Sequence, residues 1–174
     1  MILTGGEIER QVELGRITIE PFDRTNCSTN SYDLHIGSRF LRYEDDVLDP
    51  YVEPNVEVLD VSDDVLRMSA GDFLLGETVE RFGSDYYVPL IHGRSSTARL
   101  GLFVHVTADL IDIGWRGRST LQLFSTLAVR ITPGQSIAQV SFWVPEGPIE
   151  LYTGKYQGAD GPMASRSYRD ARPD

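Results

Sequence analysis

Ser119-Thr120-Leu121-Gln122-Leu123-Phe124 and, beyond the turn residues Pro133-Gly134, Ser136-Ile137-Ala138-Gln139-Val140-Ser141-Phe142-Trp143 set apolar against polar residues at a period near two. That period suits a strand with one face in a core and the other toward water. Working outward, similar runs recur: Ile17-Thr18-Ile19, residues 31–36, residues 39–43, residues 56–61, residues 72–75, residues 77–82 and Leu102-Phe103-Val104-His105-Val106. Gly, Pro, Asn and Asp fall between them, so the expected class is mainly β, a sandwich or barrel. The acidic stretch from Tyr43 to Pro54 carries two prolines and predicts a loop or edge insertion. Helical signal is confined to the start. Thr4 precedes Glu7 at capping-box spacing, and Ile8, Val12 and Leu14 form a stripe that stops at Gly15. One helix over roughly residues 5 to 14 follows.

The 174 residues suit one domain with a core of its own. Apolar residues at 41% and charged residues at 24% exclude wholesale disorder. Lys and Arg number 16 against 26 Asp and Glu, a formal net charge of -10. Such a surface repels nucleic-acid polymers and anionic membranes, so neither is an expected partner. It still admits a small anion where positive groups gather locally. Cys27 is the one cysteine, which rules out an internal disulfide, and no Cys/His cluster has zinc spacing. The N-terminus has neither the basic nor the apolar region of a signal peptide, and no apolar run approaches the ~18 residues of a membrane span. A soluble, cytoplasmic protein is expected. Residues 156–174 are rich in Gly, Pro, Ser and charge and cannot build a core; they are either disordered or ordered by a ligand. Within them Arg169 and Arg172 alternate with Asp170 and Asp174 as a solvated tail.

Two stretches carry chemistry. Gly93-Arg94-Ser95-Ser96-Thr97-Ala98-Arg99-Leu100-Gly101 gathers two arginines and three hydroxyls around a short helical piece. Guanidinium, hydroxyl and helix-start N–H donors are what a phosphate needs. The plainer alternative is a Ser-capped helix start with solvated arginines. In residues 107–117, Asp112 sits between apolar neighbours just before Gly114. Its carboxylate could orient a water, bind a sugar hydroxyl or help hold a metal, or simply belong to a hairpin turn. The three histidines, His35, His92 and His105, are dispersed and read as structural, and Trp115 reads as packing at a turn.

Residues 93–101, followed by His105-Val106-Thr107-Ala108 and Ile111-Asp112-Ile113-Gly114-Trp115-Arg116-Gly117, resemble the dCTP deaminase family of the trimeric dUTPase superfamily. The ending Lys155-Tyr156-Gln157-Gly158, with Gly161-Pro162 and residues 164–168, is similar to that family's C-terminal lid. Residues 31–37 and 133–139 add to the likeness, which covers nearly the whole chain. The resemblance implies a distorted β-barrel with one short N-terminal helix, spanning residues 1–155, and a flexible lid, residues 156–174. It implies a homotrimer whose sites are shared between subunits. Ser95 to Arg99 would hold a triphosphate, with Arg94 and Ser96 in support and Lys155, Tyr156 and Arg166 closing from the tail. Ala108, Leu110, Asp112, Gln122, Gln139 and Tyr152 would line the base and sugar pocket. Mg²⁺ would arrive with the triphosphate, and no metal cage formed by the protein is expected. Asp112 matches the superfamily aspartate that orients water for pyrophosphate hydrolysis.

One departure bears on the reaction. The family's proton-shuttling Glu falls at Gln122, and a carboxamide cannot exchange protons at a useful pKa. Leu110 stands where deaminase-only members often have a basic residue, and Ala159-Asp160 where relatives usually offer a Gln. The expectation is therefore a nucleotide hydrolase that cuts the phosphate chain through Asp112. Deamination of dCTP to dUTP and ammonia is the alternative; a non-catalytic nucleotide binder, or an enzyme of a modified nucleotide, is a further one.

Overall fold

The computed structural model describes residues 1–62 and 64–170, so Arg172 and Asp174 lie outside the described residues. A helix α1 (Gly5–Glu13) leads into β1 (Thr18–Glu20), β2 (Tyr32–Tyr43), β3 (Val56–Asp60), β4 (Leu66–Met68), β5 (Phe73–Gly83) and β6 (Val88–Gly93). A one-turn helix α2 (Ser95–Ala98) precedes β7 (Leu102–Phe103), β8 (Arg116–Ser125), β9 (Val129–Ile131) and β10 (Ser136–Trp143). The main sheet runs β6-β10-β2-β5-β8-β7, with β1 added to β5 and β3 to β2; β4 and β9 form a separate ribbon. The sheet is nearly closed. Its β6 edge is paired by the loop ahead of β8, where Ile91 N–H donates to Asp109 O (2.9 Å) and Ile111 N–H donates to Pro89 O (3.0 Å). This is the barrel that the sequence resemblance implies, and among the described residues no helix is long and apolar enough to cross a membrane.

The barrel closes around Leu34, Ile36, Phe40, Phe82, Leu121, Leu123, Ile137 and Phe142, all fully buried. In β8 the alternation is complete: residues 117, 119, 121, 123 and 125 are buried, while 116, 118, 120, 122 and 124 are half-exposed. One row of this strand therefore faces the core, while Arg118, Thr120 and Gln122 of the other, with the buried Ser119, line a cavity.

Several expectations are corrected. Thr4 makes no side-chain cap. Glu7 instead accepts from Arg10 (2.7 and 2.9 Å) and from Gln11 (2.6 Å), and these bonds lower its pKa to about 2. Leu14 is exposed, because the helix ends at Glu13 before its side chain can turn inward. The runs 31–36 and 39–43 are one strand, as are 72–75 and 77–82, because Gly37 and Gly76 continue the extended chain. Only Leu102 and Phe103 of the run 102–106 are strand. β4, β6 and β9 have no counterpart among the expected runs; two of them are three residues long and the third contains Pro89.

Candidate functional site

A cavity of about 400 Å³ opens where β8, the loop at 108–112 and the tail meet. Gln122 and Thr120 come from the outward row of β8, and Leu75 from the neighbouring β5, where it pairs with Gln122 in register. Asp112, Leu110 and Ala108 come from the loop, Tyr152 and Tyr156 from the segment after β10. The lining is mostly apolar or aromatic, with Tyr43, Phe73, Trp115 and Met163 adding to it. Flat walls of this kind with a few polar groups suit a heteroaromatic ring.

Two local devices shape the cavity. Trp115 packs edge-on against Phe82, with ring centroids 5.5 Å apart, and its Nε1–H donates to Tyr156 O (2.7 Å). The indole thus ties the tail to the turn before β8. Gly114 has φ +89°, and a Cβ there would lie 2.8 Å from Leu151 Cβ and 2.9 Å from Tyr152 N. Gly114→Ala is expected to cost about 1–3 kcal/mol through backbone strain and displaced chain. A thermal unfolding scan measures it, and an unchanged midpoint would show that this approach is not tight.

The polar groups are few. Gln122 Nε2–H donates to Thr120 O at 3.3 Å, a long bond that leaves its carboxamide available. Among the described residues Asp112 is the one carboxylate on the wall of this cavity, and its backbone carbonyl accepts from Trp115 N–H (3.1 Å) to close the turn. Arg118, two positions before Thr120, lines the same wall. Sequence reasoning missed Arg118, Tyr43, Phe73, Leu75 and Met163 as wall residues. The alternation of β8 places Arg118 on the face of Gln122 and is the signal that finds it.

The residues expected at phosphates are placed elsewhere in the protomer. Ser95, Ser96 and Arg99 are exposed on or beside α2 and do not line the cavity; Arg99 Nη1–H donates to Ser95 O (3.1 Å). Arg94 lies 3.3 Å from Asp33 Oδ2. Gln139 is likewise not in the cavity: its Oε1 accepts from Ser31 Oγ (3.0 Å). In the tail, Tyr156 lines the cavity, Lys155 Nζ pairs with Asp170 Oδ2 (2.5 Å), and Arg166 Nη1–H donates to Lys155 O (2.6 Å). Within one chain the cavity and the Arg/Ser face are therefore separate.

The histidines lie outside the cavity: His35 Nδ1 is 2.5 Å from Glu80 Oε1. His92 Nε2 is 2.9 Å from Ser141 Oγ. His105 Nε2 donates to Ile91 O (2.6 Å), and burial pushes its pKa down. Burial likewise pushes the Cys27 thiol up, which makes it a poor nucleophile.

The protein is thus a mainly β barrel with an aromatic-walled pocket and, apart from it, an exposed Arg/Ser segment. A profile of the dCTP deaminase-like family matches residues 2–144, and the chain belongs to that family. The protein named "dCTP deaminase, dUMP-forming" of Clostridium beijerinckii is 40% identical over 171 residues, which cover 98% of each chain. The protein of that name from Cytophaga hutchinsonii is 39% identical, again over 98% of each chain. Among solved structures, 2'-deoxycytidine 5'-triphosphate deaminase of Agrobacterium tumefaciens superposes with a TM-score of 0.67 at 20% identity. The match covers 83% of this chain and about half (48%) of that one, and supports the fold. The relatives correct the expected reaction. They are named for a deamination, so hydrolysis of the phosphate chain in place of deamination does not stand. That expectation rested on position 122 above all, whereas the likeness extends over the whole chain.

Proposed function

We propose that the protein is a deoxynucleotide deaminase that takes dCTP and two waters and yields dUMP, one water displacing ammonia from the base and the other displacing pyrophosphate from the α-phosphorus. The observation that carries this reading is the 40% identity over 98% of both chains to an enzyme of that name. The cavity is consistent with it, because a pyrimidine fits between its aromatic walls and meets polar groups at only a few points.

Deamination adds water at C4 of the base. A proton must leave that water, and protons must reach the ring and the departing amine. Gln122 can orient the base or the water by hydrogen bonds but cannot move protons. Asp112, the one carboxylate on the cavity wall among the described residues, can. The guanidinium and hydroxyl groups at 94–99 suit phosphate oxygens and not a bare cation. Mg²⁺ is accordingly assigned to the triphosphate, whose charge it would neutralise.

The separation of the two half-sites supports a homotrimer whose sites join the ring pocket of one chain to the Arg/Ser segment of another. Mixing Arg99→Ala with Asp112→Asn chains, each inactive alone, is expected to restore about a quarter of wild-type activity after co-refolding, because random assembly pairs two intact halves that often. No recovery would place both halves within one chain.

The direct test incubates the protein with dCTP and Mg²⁺ and follows ammonia and dUMP together. Gln122 favours one second reading, nucleotide binding without turnover. Tight dCTP binding with neither product would establish that reading and overturn the first.

A further inference from the structure

The tail is built into the sheet of its own chain. Arg118 N–H donates to Ala159 O (2.8 Å) and Gly158 N–H to Arg116 O (3.0 Å), which extends β8 sideways by two residues. The approach requires glycine at 117, where a Cβ would sit 2.8 Å from Ala159 O and 2.9 Å from its nitrogen. Further on, Met163 N–H donates to Thr120 Oγ1 (3.0 Å). Ala159 and Met163 thereby become part of the cavity wall.

A charge cluster lies at the point of contact. Glu77 is 2% exposed and accepts from Arg39 at two positions (2.8 and 2.9 Å), with Arg118 at 3.9 Å. Arg39 also donates to Asp160 O (2.7 Å). The Asp160 carboxylate lies 3.0 Å from Arg81 Nη1 and 3.4 Å from Arg118 Nε. Arg39 and Arg118 facing Glu77 alone would leave one positive charge unmatched; Asp160 of the tail supplies a second anion and also meets Arg81. Isolated surface pairs contribute little, but a network anchored on a buried carboxylate is geometrically fixed.

We infer that Asp160 is a positioning residue whose carboxylate latches the tail over the pocket of its own protomer before nucleotide arrives. The latch sets which tail residues form the wall, and it holds Arg118, itself on that wall, away from the ring. Its kinetic consequence rests on the deaminase reading; the latch itself does not.

Hydrogen exchange on the nucleotide-free protein provides the test. Asp160→Ala is expected to speed exchange at the amides of Arg118, Gly158 and Met163 by about tenfold or more while β2 and β10 stay unchanged. Asp160→Glu should retain most of the protection. Raising salt to about 1 M should speed exchange at those amides in the wild type and have a smaller effect in Asp160→Ala, where the Lys155–Asp170 and Arg39–Glu77 pairs remain to be screened. Arg81→Gln, at the other end of the pair, should reproduce part of the loss. With dCTP, Asp160→Ala should raise KM severalfold and leave kcat within about twofold. Unchanged exchange in Asp160→Ala, or salt-insensitive exchange in the wild type, overturns the latch. Altered exchange with an unmoved KM overturns its role in positioning the pocket. An absence of ammonia from the wild type counts against the deaminase reading alone and leaves the exchange result standing.

Discussion

Gln122→Glu is expected to raise ammonia release from dCTP by about 10²-fold at saturating substrate, within the usual contribution of general acid–base catalysis. The two side chains have the same shape, and the only intrachain bond that the Gln122 side chain makes among the described residues is the long one to Thr120 O. The exchange therefore alters proton chemistry and very little else. A carboxyl at 122 would sit on the outward row of β8, against the same wall as Asp112. The rate is read as ammonia per protomer, with dCTP affinity measured separately so that binding and chemistry are not confused. An unchanged or lower rate in Gln122→Glu would mean that the carboxamide does not limit the reaction and that protons move by another route.

Asp112→Asn is expected to lower ammonia release by about 10²–10⁴-fold, the same effect with the opposite sign. Asparagine keeps the backbone carbonyl that accepts from Trp115 N–H, so the turn survives. Its amide still hydrogen-bonds but no longer titrates. Thermal stability and dCTP binding should hold within a few fold, which separates a lost proton transfer from a lost fold. The two substitutions also inform on each other. In a Gln122→Glu background the cost of Asp112→Asn should shrink, because the carboxyl introduced at position 122 offers a second route. Full activity in the Asp112→Asn single variant would remove Asp112 from the chemistry.

How much of this was legible in the sequence depends on the range of the contacts involved. The helix at the start and the strands carrying long alternating runs follow from local periodicity, as Leu121-Gln122-Leu123 shows. The expected breaks at Gly37 and Gly76 reflect turn chemistry that the sheet overrides: a glycine inside an extended chain costs little when the strands on either side are paired. Among the described residues β4 and β9 pair as strands only with each other, so neither three-residue segment has a signal of its own. Asp112, Gln122, Ala108, Leu110, Tyr152 and Tyr156 do converge on one cavity. Arg94, Ser95, Ser96, Arg99 and Gln139 do not join them within the protomer. No spacing along the chain could reveal that, because how far α2 lies from the cavity is set by the way the strands pair.

The strict two-sidedness of β8 has a consequence for how this protein can change. Its inward residues hold the barrel together, while Arg118, Thr120 and Gln122 confront whatever occupies the cavity. Selection or design can therefore rewrite substrate preference along one edge of a single strand without touching the interior. The carboxamide at 122 stands in that outward row, where an exchange reaches the cavity and leaves the packed interior alone.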